Sequence, residues 1–207
     1  MRAPLSWIAE FASLPKDSTA ESVMESLVKV GLEEEGVHSF DLSGPIVVGE
    51  VLEFVDEPQT NGKTIRWCQV RVAPKGKKAA DGGADVRGIV CGASNFDAGD
   101  KVVVSLPGAV LPNNFSISAR STYGHISDGM IASGRELALS DDHDGILRLA
   151  SIGLDPEVGT DAIELLELAD TAAEVSVLPD RGYCLSIRGI AREYSHATGS
   201  SYKDPIT

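Results

Sequence analysis

The sequence predicts a mostly β protein of the α+β class, with a small β-barrel inserted into a flanking α/β unit. Three observations lead there. Between residues 88 and 149, short apolar runs (89–91, 102–106, 115–119, 130–132, 146–149) alternate with Gly, Pro and Asn. These residues favour φ > 0 or fix φ at about −65°, so they punctuate strands. Helical patterns precede this stretch and a strand–helix pattern follows it. The acid is also unevenly placed: the chain carries a formal charge of −13, but residues 44–150 hold 11 Lys or Arg against 13 Asp or Glu, leaving most of the excess on the flanks. The expected division is a barrel over residues 44–150, and a flanking unit built from 1–43 and 151–207 together.

With 207 residues, 43% of them hydrophobic, the chain can bury a core and is long for one small barrel. No apolar run approaches the ~20 residues of a membrane helix, and the N-terminus lacks the apolar core of a signal peptide. A cytoplasmic protein with no membrane partner is expected. Cys68, Cys91 and Cys184 are widely spaced, without a C-x-x-C pair. They read as reduced and buried rather than as metal ligands or redox centres.

Residues 4–40 read as helical. Leu5, Ile8 and Phe11, with Trp7 alongside, suit a short first helix. Ser18 and Glu21 form an S-x-x-E capping box for a second, whose apolar face is Val23, Leu27 and Val30 and whose end is Gly31. Glu33–Glu35 then form an acidic, solvated helix exit or an approach strand, the three carboxylates facing water in either case.

Residues 46–55 form a strand, bent at Gly49. Residues 58–63 contain Asn61-Gly62, a hairpin signal, so the next strand, 65–72, pairs with the first. That strand puts Cys68, Val70 and Val72 on one face, and Trp67, Gln69 and Arg71 on the other. Residues 73–87 have no apolar period and read as a mobile surface loop carrying the densest basic spot, Lys75, Lys77 and Lys78. The small residues Cys91-Gly92-Ala93 let another backbone or a ligand approach closely, and Asn95 helps turn the chain. Pro107-Gly108 suits a type II turn, Pro112-Asn113-Asn114 a further reversal. Ser133 with Glu136 starts a short helix over 135–139. About five short strands with one small helix fit an OB-type barrel, a fold used for nucleic acids and oligosaccharides. Beyond it, residues 160–168 read as a helix with Asp161 in its first turn, 174–178 as a strand, 179–182 as a turn, and a last helix is capped by Ser186 and ends at Gly199.

No catalytic site emerges. The four histidines are scattered, and no nucleophile elbow, phosphate loop or dinucleotide fingerprint is present. Asp141-Asp142-His143-Asp144 could seed a metal-dependent enzyme, but adjacent residues of an extended chain cannot all face one ion, and the pattern is not that of an EF-hand. A turn into the strand at 146 is the expected role, with no metal. An RNA-binding barrel needs cations for phosphates and planar groups for stacking. Candidates are Lys63, Arg66, Arg71, Lys75, Lys77, Lys78, Arg120, Tyr123, His125 and Arg135, each of which could instead be a plain surface or core residue. Trp67 is read as core.

Residues 44–149 resemble the tRNA-binding OB domain that recurs in several synthetases and in free-standing tRNA-binding proteins. The resemblance rests on IVCGASNF (89–96), the run from Gly99 to Pro112, and YGHISDGMIASGRELAL (123–139). LSWIAEF, VGLEEEGV and residues 174–199 also look like the start of the bacterial phenylalanyl-tRNA synthetase β chain. Departures are Ala132 for Cys, Ala138 for Gly, Asn113-Asn114 for Gly-Gly and Asp180 for Asn. The resemblance implies an N-terminal tRNA-binding and scaffolding region, catalytically silent alone, of an α2β2 ligase that joins phenylalanine to its tRNA. The active site would lie in the α chain and the editing and anticodon-binding regions beyond Thr207. It implies tRNA and the α chain as partners, no DNA, no cofactor in this region, and ATP and Mg2+ for the whole enzyme. A free-standing tRNA-binding or chaperone-like module is the alternative.

Overall fold

The computed structural model describes residues 1–141 and 144–204. Its elements in chain order are β1 (Arg2–Pro4), α1 (Leu5–Ala9), α2 (Ala20–Lys29), β2 (Glu33–His38), β3 (Ile46–Pro58), β4 (Thr64–Arg71), β5 (Val86–Cys91), β6 (Lys101–Ser105), β7 (Val110–Leu111), β8 (Phe115–Ser116), β9 (Arg120–Thr122), β10 (His125–Ser127), β11 (Met130–Ile131), α3 (Ala162–Leu165), β12 (Ala172–Ser176) and α4 (Ile187–Thr198). They cluster into two compact units, one of residues 41–168 and one of residues 1–40 with 169–207. Among the described residues no helix is long and apolar enough to cross a membrane.

In the unit made from the two ends, β12 lies between β1 and β2 in an antiparallel sheet. Ala173 and Val175 of β12 pack with Ile8, Val23, Leu27, Ile190 and Ala191 in one apolar core. The cap of α2 is Thr19, one residue later than the sequence suggests. Its Oγ1 accepts from Ser22 N–H at 3.2 Å, while the Ser22 hydroxyl accepts from Thr19 N–H at 3.0 Å. Either S-x-x-E or T-x-x-S satisfies orphan amides, and the structure uses the second. Gly31 ends the helix at φ +87°. Glu33–Glu35 belong to a strand and are exposed. The expected turn at 179–182 is a longer 3-10 stretch, Pro179–Leu185. Arg181 holds it to Val30 O at 2.6 Å, and the Tyr183 hydroxyl to Glu193 Oε1 at 3.0 Å. Ser186 caps α4, accepting from Gly189 N–H at 3.1 Å, and Gly199 terminates it at φ +73°.

The second unit is built on a five-stranded antiparallel sheet in the order β11-β6-β3-β4-β5, which curls almost closed. Its interior holds Val51, Cys68, Val70, Ile89, Phe96, Val102, Val104, Leu106 and Ile131. β3 and β4 form the expected hairpin through Gly62 at φ +78°. The bend in β3 is not at Gly49. The register shifts between Val51 and Glu53, so Leu52 is the bulged residue. Gly49 is required for space: a Cβ there would sit 2.6 Å from Val104 Cγ2 and 2.9 Å from Val70 Cγ1.

The 73–87 segment is not a free loop. Ala79 is buried among the barrel residues, Gly76 N–H donates to Asp85 Oδ2 at 2.7 Å, and Arg87 turns inward to ion-pair with Asp81 and Asp128. Its lack of apolar period reflects anchoring by polar contacts and one small side chain rather than by an amphipathic face. Ser133 and Glu136 make both bonds of the capping box. No helix follows, because Ala138 adopts φ +57° and reverses the chain after one turn. An L-residue pays about 1–2 kcal/mol for that conformation. Ala138→Gly is therefore expected to stabilise the protein by roughly 1 kcal/mol, read as a higher midpoint in urea unfolding with an unchanged slope.

Residues 151–168, expected on the flank, cluster with the barrel. Gly159 N–H donates to Val48 O at 2.8 Å and Val48 N–H to Thr160 O at 2.9 Å, while Ala162 and Leu168 are buried. The helix in this segment is one turn long, capped by Asp161.

All three cysteines are free and buried. Burial pushes the Cys68 thiol up to about 12 and raises Cys91 and Cys184 as well. Since the thiolate is the reactive form, a thiol-reactive chromogenic disulfide is expected to leave the folded protein unmodified at neutral pH and to titrate three thiols after denaturation.

Candidate nucleic-acid interface

Pairing across the sheet sorts the candidate cations into two sets. Arg66 stands opposite Asp56 and donates to its Oδ1 at 3.0 Å. Its guanidinium also donates to Phe96 O and stacks 4.0 Å from the Phe54 ring centroid. The side chain is only 13% exposed. Arg71 faces Glu50 at 3.5 Å. Lys101 pairs with Asp155, and Arg148 with Asp100. These cations are spent on barrel contacts, since a cross-strand carboxylate neutralises the charge a phosphate would need. In contrast, Lys63, Lys75, Lys77, Lys78, Arg120 and Arg135 are exposed. Among the described residues no carboxylate lies within ion-pair distance of these six.

The planar candidates also divide. The His125 ring stacks on Trp67 with centroids 4.3 Å apart and planes 11° apart. Its Nε2 lies 3.0 Å from both Glu57 carboxylate oxygens. Trp67 in turn covers Gly88, where a Cβ would fall 2.2 Å from the indole. This stack ties the β9–β10 hairpin to β4, so His125 and Trp67 are framework. Tyr123 sits at the hairpin tip with φ +51°, followed by Gly124 at +84°. Asn or Gly is the unstrained choice at such a turn position, yet a tyrosine is held there, 46% exposed.

Sequence reasoning missed Phe115. Within an apolar run it reads as core, but the β7–β8 hairpin is only two residues per strand and leaves the ring 43% exposed. Arg120 lies 5.1 Å over one face and donates to Ser116 O at 3.2 Å. Phe115, Val90 and Met130 line both of two adjoining clefts, of about 900 Å³ and 170 Å³. Arg135 lines the larger and Arg120 the smaller.

The larger cleft occupies the seam where the barrel fails to close. At one end Asp128 N–H donates to Gly88 O at 2.9 Å and Val90 N–H to Ser127 Oγ at 3.0 Å. At the other, the Asn95 carboxamide pairs with the backbone of Ile146 through two bonds of 3.0 Å, standing in for a strand. Gly145 is needed beside it, since a Cβ there would lie 2.4 Å from the amide. Between these stitches, residues 90–93 form one wall and Met130, Ile131 and Ser133 the other. Of the Asp141–Asp144 cluster, Asp142 and His143 lie outside the described residues, Asp144 lines the larger cleft, and residues 144–145 bend the chain into Ile146.

Residues 46–153 match the family model described as "Putative tRNA binding domain". The chain is 69% identical to the phenylalanine–tRNA ligase β subunit of Leifsonia xyli subsp. xyli across 99% of its length and 25% of that protein's. The corresponding subunit of Streptomyces avermitilis is 52% identical over 99% of the chain and 24% of the relative, and that of Bifidobacterium longum 50% over 97% and 24%. The chain thus spans about a quarter of the length of the curated relatives it matches.

Proposed function

The chain belongs to the tRNA-binding domain family, and from that premise we propose that it is the tRNA-contacting and scaffolding part of a phenylalanine–tRNA ligase β subunit. The observation that carries this reading is the coincidence of the matched segment, 46–153, with the barrel unit, 41–168, inside a chain that is similar to β subunits from end to end. The barrel unit contacts tRNA phosphates through Lys63, Lys75, Lys77, Lys78, Arg120 and Arg135, with Tyr123 at the hairpin tip. Arg66, Arg71 and His125 hold the frame. The 106–129 connection, between the fourth and fifth strands of the barrel sheet, corresponds to one of the loops that OB barrels use for oligonucleotides. The unit formed by the two chain ends is the scaffold, working in the cytoplasm with an α chain in an α2β2 ligase.

On this reading the whole ligase uses ATP and magnesium. Among the described residues no three metal-ligating side chains come together, and no glycine-rich phosphate loop is present in the chain.

Titrating the purified chain with phenylalanine tRNA in low salt tests the tRNA role. Log K is expected to fall by about 0.7–0.9 per phosphate contact for each decade of salt. No detectable binding even in low salt would remove the tRNA role and leave scaffolding alone.

A further inference from the structure

We infer that the seam between β5 and β11 takes up a single unpaired nucleotide of the tRNA, base inward against Phe115 and its phosphates outward at Arg120 and Arg135. The inference rests on the proposed tRNA role and deepens it by naming what the cleft reads.

Three features select a base over a length of sugar–phosphate backbone. The first is charge. Among the described residues that line the larger cleft Arg135 is the one cation, and two acidic residues, Glu136 and Asp144, line it too. A phosphate drawn into that slot meets carboxylates, whereas a neutral base bears N–H groups that carboxylates accept. The second is the aromatic ring. Phe115 lines both clefts and is backed by the Arg120 guanidinium. A base entering the larger cleft completes a cation–ring–base stack, a sequence-tolerant contact that paired bases cannot offer. The third is the wall opposite. At Gly92 an added Cβ would meet nothing within 4 Å, so the edge of a base can reach the main chain. The volume, about 900 Å³, falls within the range of small-molecule pockets, roughly 300–1,000 Å³. Recognition of RNA through bases splayed from the helix is the usual route where a duplex groove cannot be read.

The test compares wild type, Phe115→Ala, Phe115→Trp and Arg135→Gln by titration of the full chain with tRNA and with a blunt-ended, fully paired RNA duplex, at several salt concentrations. Phe115→Ala should weaken tRNA binding by about 5- to 150-fold, the span of one base–aromatic stack, with the salt slope unchanged and duplex binding unaltered. Phe115→Trp should bind tRNA at least as well as wild type, which separates loss of the ring from misfolding. Arg135→Gln should instead reduce the salt slope by about 0.7–0.9. Equal tRNA affinity for wild type and Phe115→Ala overturns the inference while the tRNA role stands. So does equal binding of wild type to duplex and tRNA. Failure of wild type to bind any tRNA overturns the role itself.

Discussion

Arg87→Ala is expected to be among the most damaging substitutions of a polar residue in the barrel, costing about 3 kcal/mol. The Arg87 side chain is 5% exposed and bridges Asp81 of the 73–87 segment to Asp128 beside the β10–β11 connection. Burial disfavours its charge, yet the hydrogen bonds it donates to Asp128 and Asp81 outweigh burial, so the guanidinium is held charged more firmly than in water. Removing one partner of a buried pair costs about 3–5 kcal/mol because the other charge is stranded. The lower end applies here, since Asp128 is one-third exposed and water can reach it. Two further contacts go with it: Arg87 Nε donates to Ala84 O at 2.8 Å, and the guanidinium packs on Gly83. Urea unfolding at neutral pH measures the loss. Lowering the pH, which protonates the stranded carboxylates, should narrow the gap between variant and wild type. A variant within about 0.5 kcal/mol of wild type, the scatter of ordinary surface substitutions, would show that the pair does not anchor the segment.

Excising the barrel from an assembled ligase is expected to raise KM for tRNA at least tenfold, about 1.4 kcal/mol, with phenylalanine activation spared. The excision is structurally reasonable. His38 and Ala172 are cross-strand partners in the sheet of the end-built unit, so a short linker replacing residues 41–168 joins neighbours and preserves β1, β12 and β2. The contribution being removed is mostly electrostatic: six exposed cations without carboxylate partners among the described residues. It should therefore be larger in low salt and shrink as salt screens the contacts. An unchanged KM in low salt would leave the barrel without a part in tRNA binding. Lost phenylalanine activation would instead show that the excision disturbs assembly.

Much of the fold is legible in the sequence where one local signal fixes one local geometry. Asn61-Gly62, Ser186 with Gly199, and Pro107-Gly108 each sit where the turn and cap rules place them, because φ > 0 and orphan amides admit few residue types. Local signals also mislead when two are nearly equivalent. Ser18 and Thr19 both offer a capping hydroxyl one residue apart, and the structure uses Thr19. Ser133 and Glu136 do form a box, but the helix it announces is stopped by the conformation of Ala138. Gly49 looks like a bulge and is a packing space, because Val104 and Val70 arrive from strands distant in sequence.

For the candidate site the sequence alone determined the residue types, the barrel that carries them and the family resemblance. Each of these is written in alternation, turn chemistry and motif. Which cations are free was decided only by tertiary structure. Arg66, Arg71 and Arg87 look no different from Arg120 and Arg135 in the chain, but strand register sets Asp56 and Glu50 opposite the first two, and a folded-back segment brings Asp81 and Asp128 to the third. Phe115 was hidden for the same reason. Whether an aromatic ring in a short apolar run is core or platform depends on what packs over it, and here a seam left open between β5 and β11 leaves one face to solvent. Register and closure are properties of pairs of residues far apart along the chain, so no local pattern records them.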